Sequence, residues 1–122
     1  MPLAEEPVNG RTVLKKAQRK ARRRLERAGN DPEQLHAARK SAKRLRYAAE
    51  LLTDVEPRAA KIVKAAKKEQ TVLGDHQDLM VAADFLRRQG AQAGTRPGHN
   101  GFTYGLLMAR VEEQAARIRA KL

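Results

Sequence analysis

Apolar residues recur every three or four positions along most of the chain, which is the period of an amphipathic α-helix. The first stripe consists of Leu14, Ala17, Ala21, Leu25 and Ala28 and predicts a helix over about 11–28. Gly29-Asn30 follows it, as glycine and asparagine do at helix C-termini. Asp31-Pro32 then opens a second helix over about 32–53, because proline favours the first helical turn. Its apolar face consists of Leu35, Ala38, Ala42, Leu45, Ala49 and Leu52.

The second half of the chain predicts three further helices. The first of them runs from about Pro57 to Gly74, with a stripe of Ile62, Ala65, Ala66, Val72 and Leu73. A short break over 75–78 follows, with Asp78 as the N-cap of a fourth helix over about 79–89 that carries Leu79, Ala82, Ala83 and Leu86. Residues 90–101 contain four glycines and one proline and predict a loop. The last helix covers about 102–120, with Phe102, Leu106, Ala109 and Ala116 on one side.

No alternating run or hairpin turn predicts a strand, so the expected class is all-α: an antiparallel bundle of four to five helices with short loops. The chain has 122 residues, a length typical of one domain. Residues 1–10 contain two prolines, a glycine and two glutamates and predict a flexible tail, and residues 11–122 form the predicted bundle. The N-terminus is acidic and lacks the apolar core of a signal peptide, and no apolar run approaches a membrane span. We therefore expect a cytoplasmic protein without membrane association.

The composition limits both the core and the chemistry. Aromatic residues make up 3% of the chain, so leucine, valine, isoleucine and alanine must form the core. Because alanine buries little apolar area, a core of this kind is marginal by itself. We therefore expect a polyanion or a second copy of the chain, giving a homodimer, to complete the stable state. Cysteine is absent, which excludes disulfides, thiolate zinc sites and a cysteine nucleophile.

The strongest functional signal is the density of positive charge. The chain carries 26 Lys and Arg against 14 Asp and Glu, a formal net charge of +12. Between positions 11 and 46, Glu26, Asp31 and Glu33 are the only acids. Like charges four residues apart destabilise a helix, and a bound polyanion would remove that repulsion. A basic face that is merely solvated is the alternative, but the imbalance favours polyanion binding.

Few residues in the basic region are suited to reading nucleic-acid bases. Base stacking uses aromatic side chains, and Tyr47 is the aromatic residue within this region. Asn and Gln, which read base edges, are few on the basic faces. Arginine forks and lysine ammonium groups suit phosphate oxygens. The sequence therefore favours a flexible chain of phosphates, and leaves binding to the RNA or DNA backbone without sequence preference as the rival interpretation.

Histidines and carboxylates offer little sign of catalysis. His36 falls on the same side of the second helix as Arg39, Lys40 and Lys43, where it can donate to phosphate. His76 and His99 stand at spacings that match no metal motif, and Asp75 and Asp78 are better explained by helix capping than by acid–base chemistry. The chain contains no P-loop, G-x-S-x-G or H-E-x-x-H motif. We expect no enzyme activity, no cofactor and no metal.

The second helix carries a longer pattern. Its residues Leu35-His36-x-x-Arg39-Lys40-x-x-Lys43-Arg44-Leu45-Arg46-Tyr47-Ala48-x-Glu50 resemble the signature of the CHAD family, the conserved histidine α-helical domain. Gln70-x-x-Leu73-Gly74-x-x-Gln77-Asp78 is similar to the second motif of that family, and Phe102-x-x-Gly105-x-Leu107 to its final helix. One departure is Glu69, which stands on the apolar stripe where the family usually has an apolar residue.

The resemblance implies non-catalytic binding of inorganic polyphosphate by a basic surface. Association with polyphosphate granules would follow from such binding. The resemblance also implies that the chain corresponds to half of a two-bundle domain, the half that resembles the C-terminal repeat, so that two copies could pair as a homodimer. Motif positions and helix faces together give twelve expected phosphate contacts: Lys16, Arg19, Lys20, Arg23, His36, Arg39, Lys40, Lys43, Arg46, Tyr47, Lys64 and Lys68.

Overall fold

Four helices account for nearly all of the residues that the computed structural model describes, which are 9–94 and 101–122. They are α1 (Gly10–Ala28), α2 (Pro32–Leu51), α3 (Ala59–Ala93) and α4 (Gly101–Arg119). No strand occurs within these described ranges, which confirms the all-α class. The predicted tail at residues 1–8 and most of the predicted loop, residues 95–100, lie outside the described residues.

Local capping explains where the first two helices begin and end. The Asn9 side chain accepts a hydrogen bond of 3.1 Å from the Arg11 N–H, and Asp31 Oδ2 accepts one of 3.1 Å from the Gln34 N–H. These side chains satisfy N–H groups that have no partner within the helix. Gly29 ends α1 with a φ of +50°, a conformation that side chains with a Cβ rarely adopt. The predicted turn between the first two helices is therefore confirmed.

The predicted break at residues 75–78 is wrong, because α3 is one continuous helix of 35 residues. Gly74 does not end a helix, and Asp78 lies within the helix and is not an N-cap. Val72, Leu73, His76 and Ala83 are all buried, and their spacing continues the helical period across the supposed break. Burial along this stripe outweighs the ~1 kcal/mol by which glycine disfavours a helix interior.

The chain divides into two units, which we call the N-terminal unit (through Gln70) and the C-terminal unit (from Thr71). In the N-terminal unit, α1, α2 and the first part of α3 enclose one small core. Its buried members are Leu14, Ala21, Leu45, Ala49, Ala59, Ile62 and Ala66. Four of these seven are alanines, which confirms the predicted composition of the core and lets the helices approach closely.

In the C-terminal unit, the second part of α3 pairs with α4 in the opposite direction. Arg87 of α3 forms an ion pair of 3.6 Å with Glu112 of α4. Nearer the loop, a Cβ on Gly90 would lie 3.1 Å from the Cβ of Tyr104, so a larger residue there would require the two helices to move apart slightly. Ala83, Ala93 and Ala115 are buried in this unit.

The apolar side that the sequence predicts for the last helix is not the side that packs. Phe102 and Leu106 are 71% and 53% exposed, and Ala109 and Ala116 are exposed as well. The apolar and aromatic side chains of α4 that are buried or half-buried belong to Tyr104, Met108, Val111, Ala115 and Ile118. The helix therefore has apolar residues on two sides. None of the helices in the described ranges has the length and apolarity that a membrane crossing requires.

Candidate polyanion-binding surface

The α2 helix separates its buried and charged positions cleanly. Ala38, Ala42 and Ala49 are fully buried, and Leu45 is nearly so. The predicted phosphate-binding residues His36, Arg39, Lys40 and Lys43 are all exposed. The two sets are about half a turn apart on the helix, since 3.6 residues make one turn. The packing of α2 therefore turns these four predicted side chains outward.

Tyr47 brings two of the predicted cations together. The Lys43 Nζ atom lies 5.7 Å from the centre of the Tyr47 ring, and the Arg46 Cζ atom lies 5.0 Å from it. At these distances the ring attracts both cations. The Tyr47 side of α2 therefore holds a lysine and an arginine close to one aromatic ring that is itself 46% exposed.

Arg46 is the least exposed of the twelve predicted residues. Its Nε atom lies 3.5 Å from Glu50 Oε1, and the two side chains are 25% and 42% exposed. An ion pair of this exposure is worth ~0.2–1 kcal/mol. Arg46 therefore already has a carboxylate beside it within the predicted surface.

The predicted α1 residues Lys16, Arg19, Lys20 and Arg23 are all exposed. They lie on the side of the helix away from the buried residues Leu14, Ala21 and Ala28. Because α1 and α2 pack against each other, the two sets of cations stand on neighbouring helices. The two weaker candidates, Lys64 and Lys68, are exposed and lie on α3.

The seam between α1 and α3 presents cations that the sequence analysis did not single out. A groove of about 380 Å³ runs along it, with Ala21, Leu25, Ile62 and Ala66 among its apolar walls. Its polar residues are Gln18, Arg22, Lys61 and Glu69, and a smaller recess beside it adds Arg11, Lys15, Glu56 and Arg58. The signal in the sequence was the spacing of Arg11, Lys15, Gln18 and Arg22, which forms one row beside the apolar stripe of α1.

Glu69, the departure from the family pattern, lies in this groove. Its side chain is half-buried, and the groove also contains Arg22 and Lys61. The seam therefore combines two carboxylates, Glu56 and Glu69, with five cations. The α1–α3 seam is less uniformly basic than the outward sides of α1 and α2.

His76 is buried within α3, with 4% of its surface exposed. Burial, together with the positive charge of Arg119, lowers the pKa of His76 from its usual 6.5. No group of three or more His, Cys, Asp or Glu side chains that could hold a metal ion occurs in the part of the chain that the structure describes. His99 lies outside the described residues.

The positive charge of the chain belongs almost entirely to the N-terminal unit. Residues 1–70 carry 19 Lys and Arg against 9 Asp and Glu, whereas residues 71–122 carry 7 against 5. Even if every carboxylate of the first segment paired with one cation, ten cations would remain. The N-terminal unit therefore accounts for ten of the twelve net positive charges of the chain.

Comparisons with known proteins agree with the motif on α2. The family model described as "CHAD domain" matches residues 4–87. Two uncharacterized proteins of Mycobacterium tuberculosis, from strains CDC 1551 / Oshkosh and ATCC 25618 / H37Rv, are each 40% identical to the chain over 111 residues. The match covers 89% of this chain and 20% of each relative, so the chain spans about a fifth of their length. No solved structure matches the chain. The chain belongs to the CHAD domain family.

Proposed function

We propose that the chain binds inorganic polyphosphate through the cations of α1 and α2. The observation that carries the proposal is the placement of charge. The ten predicted residues on these helices are exposed, except for the half-buried Arg46, on a unit with ten more cations than carboxylates. Membership of the CHAD family, which is associated with polyphosphate binding in general, supports the same interpretation.

The physical argument is that a chain of phosphates relieves the repulsion within this unit. Cations crowded on two packed helices raise the energy of the folded state. A linear polyanion that lies along both helices neutralises them and releases its own counterions to the solvent, which favours binding. Lysine and arginine suit this ligand, because they donate to phosphate oxygens in many geometries and need no fixed partner.

The environment of Tyr47 favours polyphosphate over a nucleic acid. Proteins that bind single-stranded RNA or DNA stack bases on open aromatic rings. Tyr47 has two cations over its ring, at 5.0 and 5.7 Å from the ring centre. In this arrangement the ring holds Lys43 and Arg46 in place and is a poor platform for a base.

The proposed role is binding without catalysis. The charged residues of α1 and α2 would hold the ligand, and no residue is assigned to bond breaking. Association with polyphosphate granules in the cytoplasm would follow from affinity of this kind, and belongs to the same proposal.

A competition titration tests the ligand. The full chain is saturated with a fluorescent single-stranded RNA, and long-chain polyphosphate is added at equal phosphate concentration. We expect polyphosphate to displace the RNA, because it offers phosphates without the spacing that sugars and bases impose. Failure to displace would reject polyphosphate in favour of nucleic-acid backbone binding.

The same preparation tests the enzymatic rival. Phosphate release from polyphosphate is followed with and without Mg²⁺, since phosphate transfer commonly uses this metal. We expect no release above that of the polymer alone. Release that depends on protein concentration would show that the chain acts on polyphosphate chemically.

A further inference from the structure

The groove along the α1–α3 seam has apolar walls that are partly open to water. Leu25 is half-buried and Ala65 is exposed, and both line the groove. Lys61 and Arg22 are exposed beside them. None of the twelve predicted phosphate contacts is among the described residues that line the groove or the recess beside it. The proposed function therefore does not use this seam.

The two walls of the seam are long and run in the same direction. The lining residues extend on α1 from Arg11 to Leu25, about 21 Å at 1.5 Å per residue, and from Arg58 to Glu69 along α3, about 17 Å. Arg11 and Arg58 line the recess at one end, and Leu25 and Glu69 line the groove. A ligand helix of about three to four turns would span this length.

We propose that the α1–α3 seam binds an amphipathic helix of a partner protein, with apolar side chains along one face and carboxylates on both sides of that face. Ala21, Ile62 and Ala66 are buried members of the walls. A chain of phosphates would lose hydration against such walls without compensation. A helix that presents an apolar residue at every turn fills an apolar groove, and this is a recurring mode of peptide recognition.

Charge determines what stands beside that apolar face. Arg22 belongs to the α1 wall and Lys61 to the α3 wall, so the ligand meets a cation on each side. The whole seam has five cations and two carboxylates, with Glu56 in the recess and Glu69 in the groove. This excess attracts a helix with acidic flanks and repels one with basic flanks. The proposal is independent of polyphosphate binding, since the two surfaces share no described residue.

Fluorescence anisotropy with two synthetic peptides of about 14 residues tests the proposal, a length that matches the seam. The first peptide has leucines at every third or fourth position and glutamates on both sides of them. The second has the same composition in an order that scatters the leucines around the helix, and a lactam bridge holds both peptides helical. We expect the full chain to bind the first about tenfold more tightly or better, because only that peptide has one apolar face. Equal affinities would show that charge alone attracts the peptides, and would overturn the proposal.

Tryptophan variants of α3 place the peptide on the seam. Ala65→Trp fills the groove from its exposed wall and should weaken binding of the first peptide by about tenfold or more. The matched control is Ala60→Trp, at an exposed position of the same helix outside the seam, which should bind within about twofold of the wild type. Equal losses in the two variants would contradict binding in the groove.

Charge reversal tests the two rims without changing the apolar walls. Arg22→Glu with Lys61→Glu should weaken binding of the first peptide strongly, because its carboxylates would face carboxylates. Arg24→Glu with Lys67→Glu makes the same change in net charge at exposed positions of the same helices outside the seam, and should weaken it much less. Equal losses in the two double variants would reject rim contacts in favour of the general field.

The other possible occupants are tested with the Ala65→Trp variant. It should bind polyphosphate as the wild type does, and sedimentation equilibrium should give both proteins the same average mass. Loss of polyphosphate binding would assign the seam to the polyphosphate surface. A wild type that is heavier than the variant would make a second copy of the chain the occupant. Either result overturns the proposal.

Discussion

The two units of this chain differ in how nearly their carboxylates balance their cations. In the C-terminal unit, Asp84 pairs with Arg87 and Arg88, and Arg87 also pairs with Glu112 of the other helix. In the N-terminal unit, cations outnumber carboxylates by ten. The carboxylates of the C-terminal unit come within two of balancing its cations, whereas those of the N-terminal unit fall ten short.

This difference is the basis for assigning the proposed ligand to the N-terminal unit. Exposed ion pairs contribute little to stability, but they leave a surface near neutrality. A unit with ten excess cations keeps its repulsion until an anion arrives. The core of the same unit has four alanines among its seven buried members, a composition that buries little apolar area.

The largest effect should come from reversing charge on α2. Arg39→Glu with Lys43→Glu removes two exposed cations and adds two anions on the predicted surface. We expect polyphosphate affinity to fall by a factor of 100 or more, on the order of 3 kcal/mol. The slope of log affinity against log salt should become shallower by about 1.5–2, since two phosphate contacts are lost. Fluorescence anisotropy with labelled polyphosphate measures both quantities.

The control for this variant lies in the other unit. Arg110→Glu with Lys121→Glu makes the same change in net charge at two exposed positions. It should weaken binding only slightly, and both variants should keep the helical circular dichroism of the wild type. Equal losses in the two variants would mean that net charge, and not the surface on α1 and α2, determines binding.

The next largest effect concerns packing in the N-terminal unit. Ala49 is fully buried in the core that contains Leu14, Leu45 and Ile62. Ala49→Leu overpacks this core and should lower the free energy of unfolding by ~1–3 kcal/mol in urea titrations. Ala91→Leu, at an exposed position of α3 in the C-terminal unit, should change it by less than ~0.5 kcal/mol. An unchanged Ala49→Leu variant would show that the alanine core is loosely packed.

Features that depend on residues close together in the chain could be predicted from the sequence. The faces of α1 and α2 were predicted correctly, because Ala38, Ala42 and Ala49 repeat at helical spacing and face one core. The capping residues Gly29 and Asp31 also lie next to the helices that they end and begin, so the turn between α1 and α2 was predicted correctly. The exposure of the basic residues follows directly from these faces.

Other features depended on tertiary contacts, which spacing does not reveal. The continuity of α3 was missed because His76 was not counted among the buried positions that bridge Gly74 and Asp78. The packed side of α4 could not be chosen from the sequence, since the helix has apolar residues on two sides. The groove between α1 and α3 arises from the packing of two helices that are distant in sequence.

The buried His76 gives the C-terminal unit a pH dependence. Its pKa in the folded chain is below 6.5, because burial, and secondarily Arg119, disfavour the charged imidazole. The unfolded chain therefore takes up this proton first as the pH falls. Stability contributed by the neutral ring is present above pH 6.5 and is lost as the pH decreases toward the lower pKa of the folded state.

Urea titrations over a pH series measure this effect. His76→Leu should reduce the decline in the free energy of unfolding between about pH 7.5 and 5.5, where histidine titrates. Arg119→Gln removes the smaller of the two causes, and should reduce the decline only in part. A decline that is the same in His76→Leu and the wild type would assign it to other groups.

The smallest expected effect concerns the ion pair between Glu50 and Arg46 on α2. Glu50 Oε1 lies 3.5 Å from Arg46 Nε. This pair in the N-terminal unit is of the same kind as the ion pairs of the C-terminal unit. Glu50→Gln frees Arg46 for phosphate and should strengthen polyphosphate binding by up to about fivefold, since an exposed pair is worth ~0.2–1 kcal/mol. Asp54→Asn changes the charge equally at an exposed position three residues beyond α2, and should have a smaller effect. If both variants bind with equal affinity, Arg46 takes no more part in binding than the general field does.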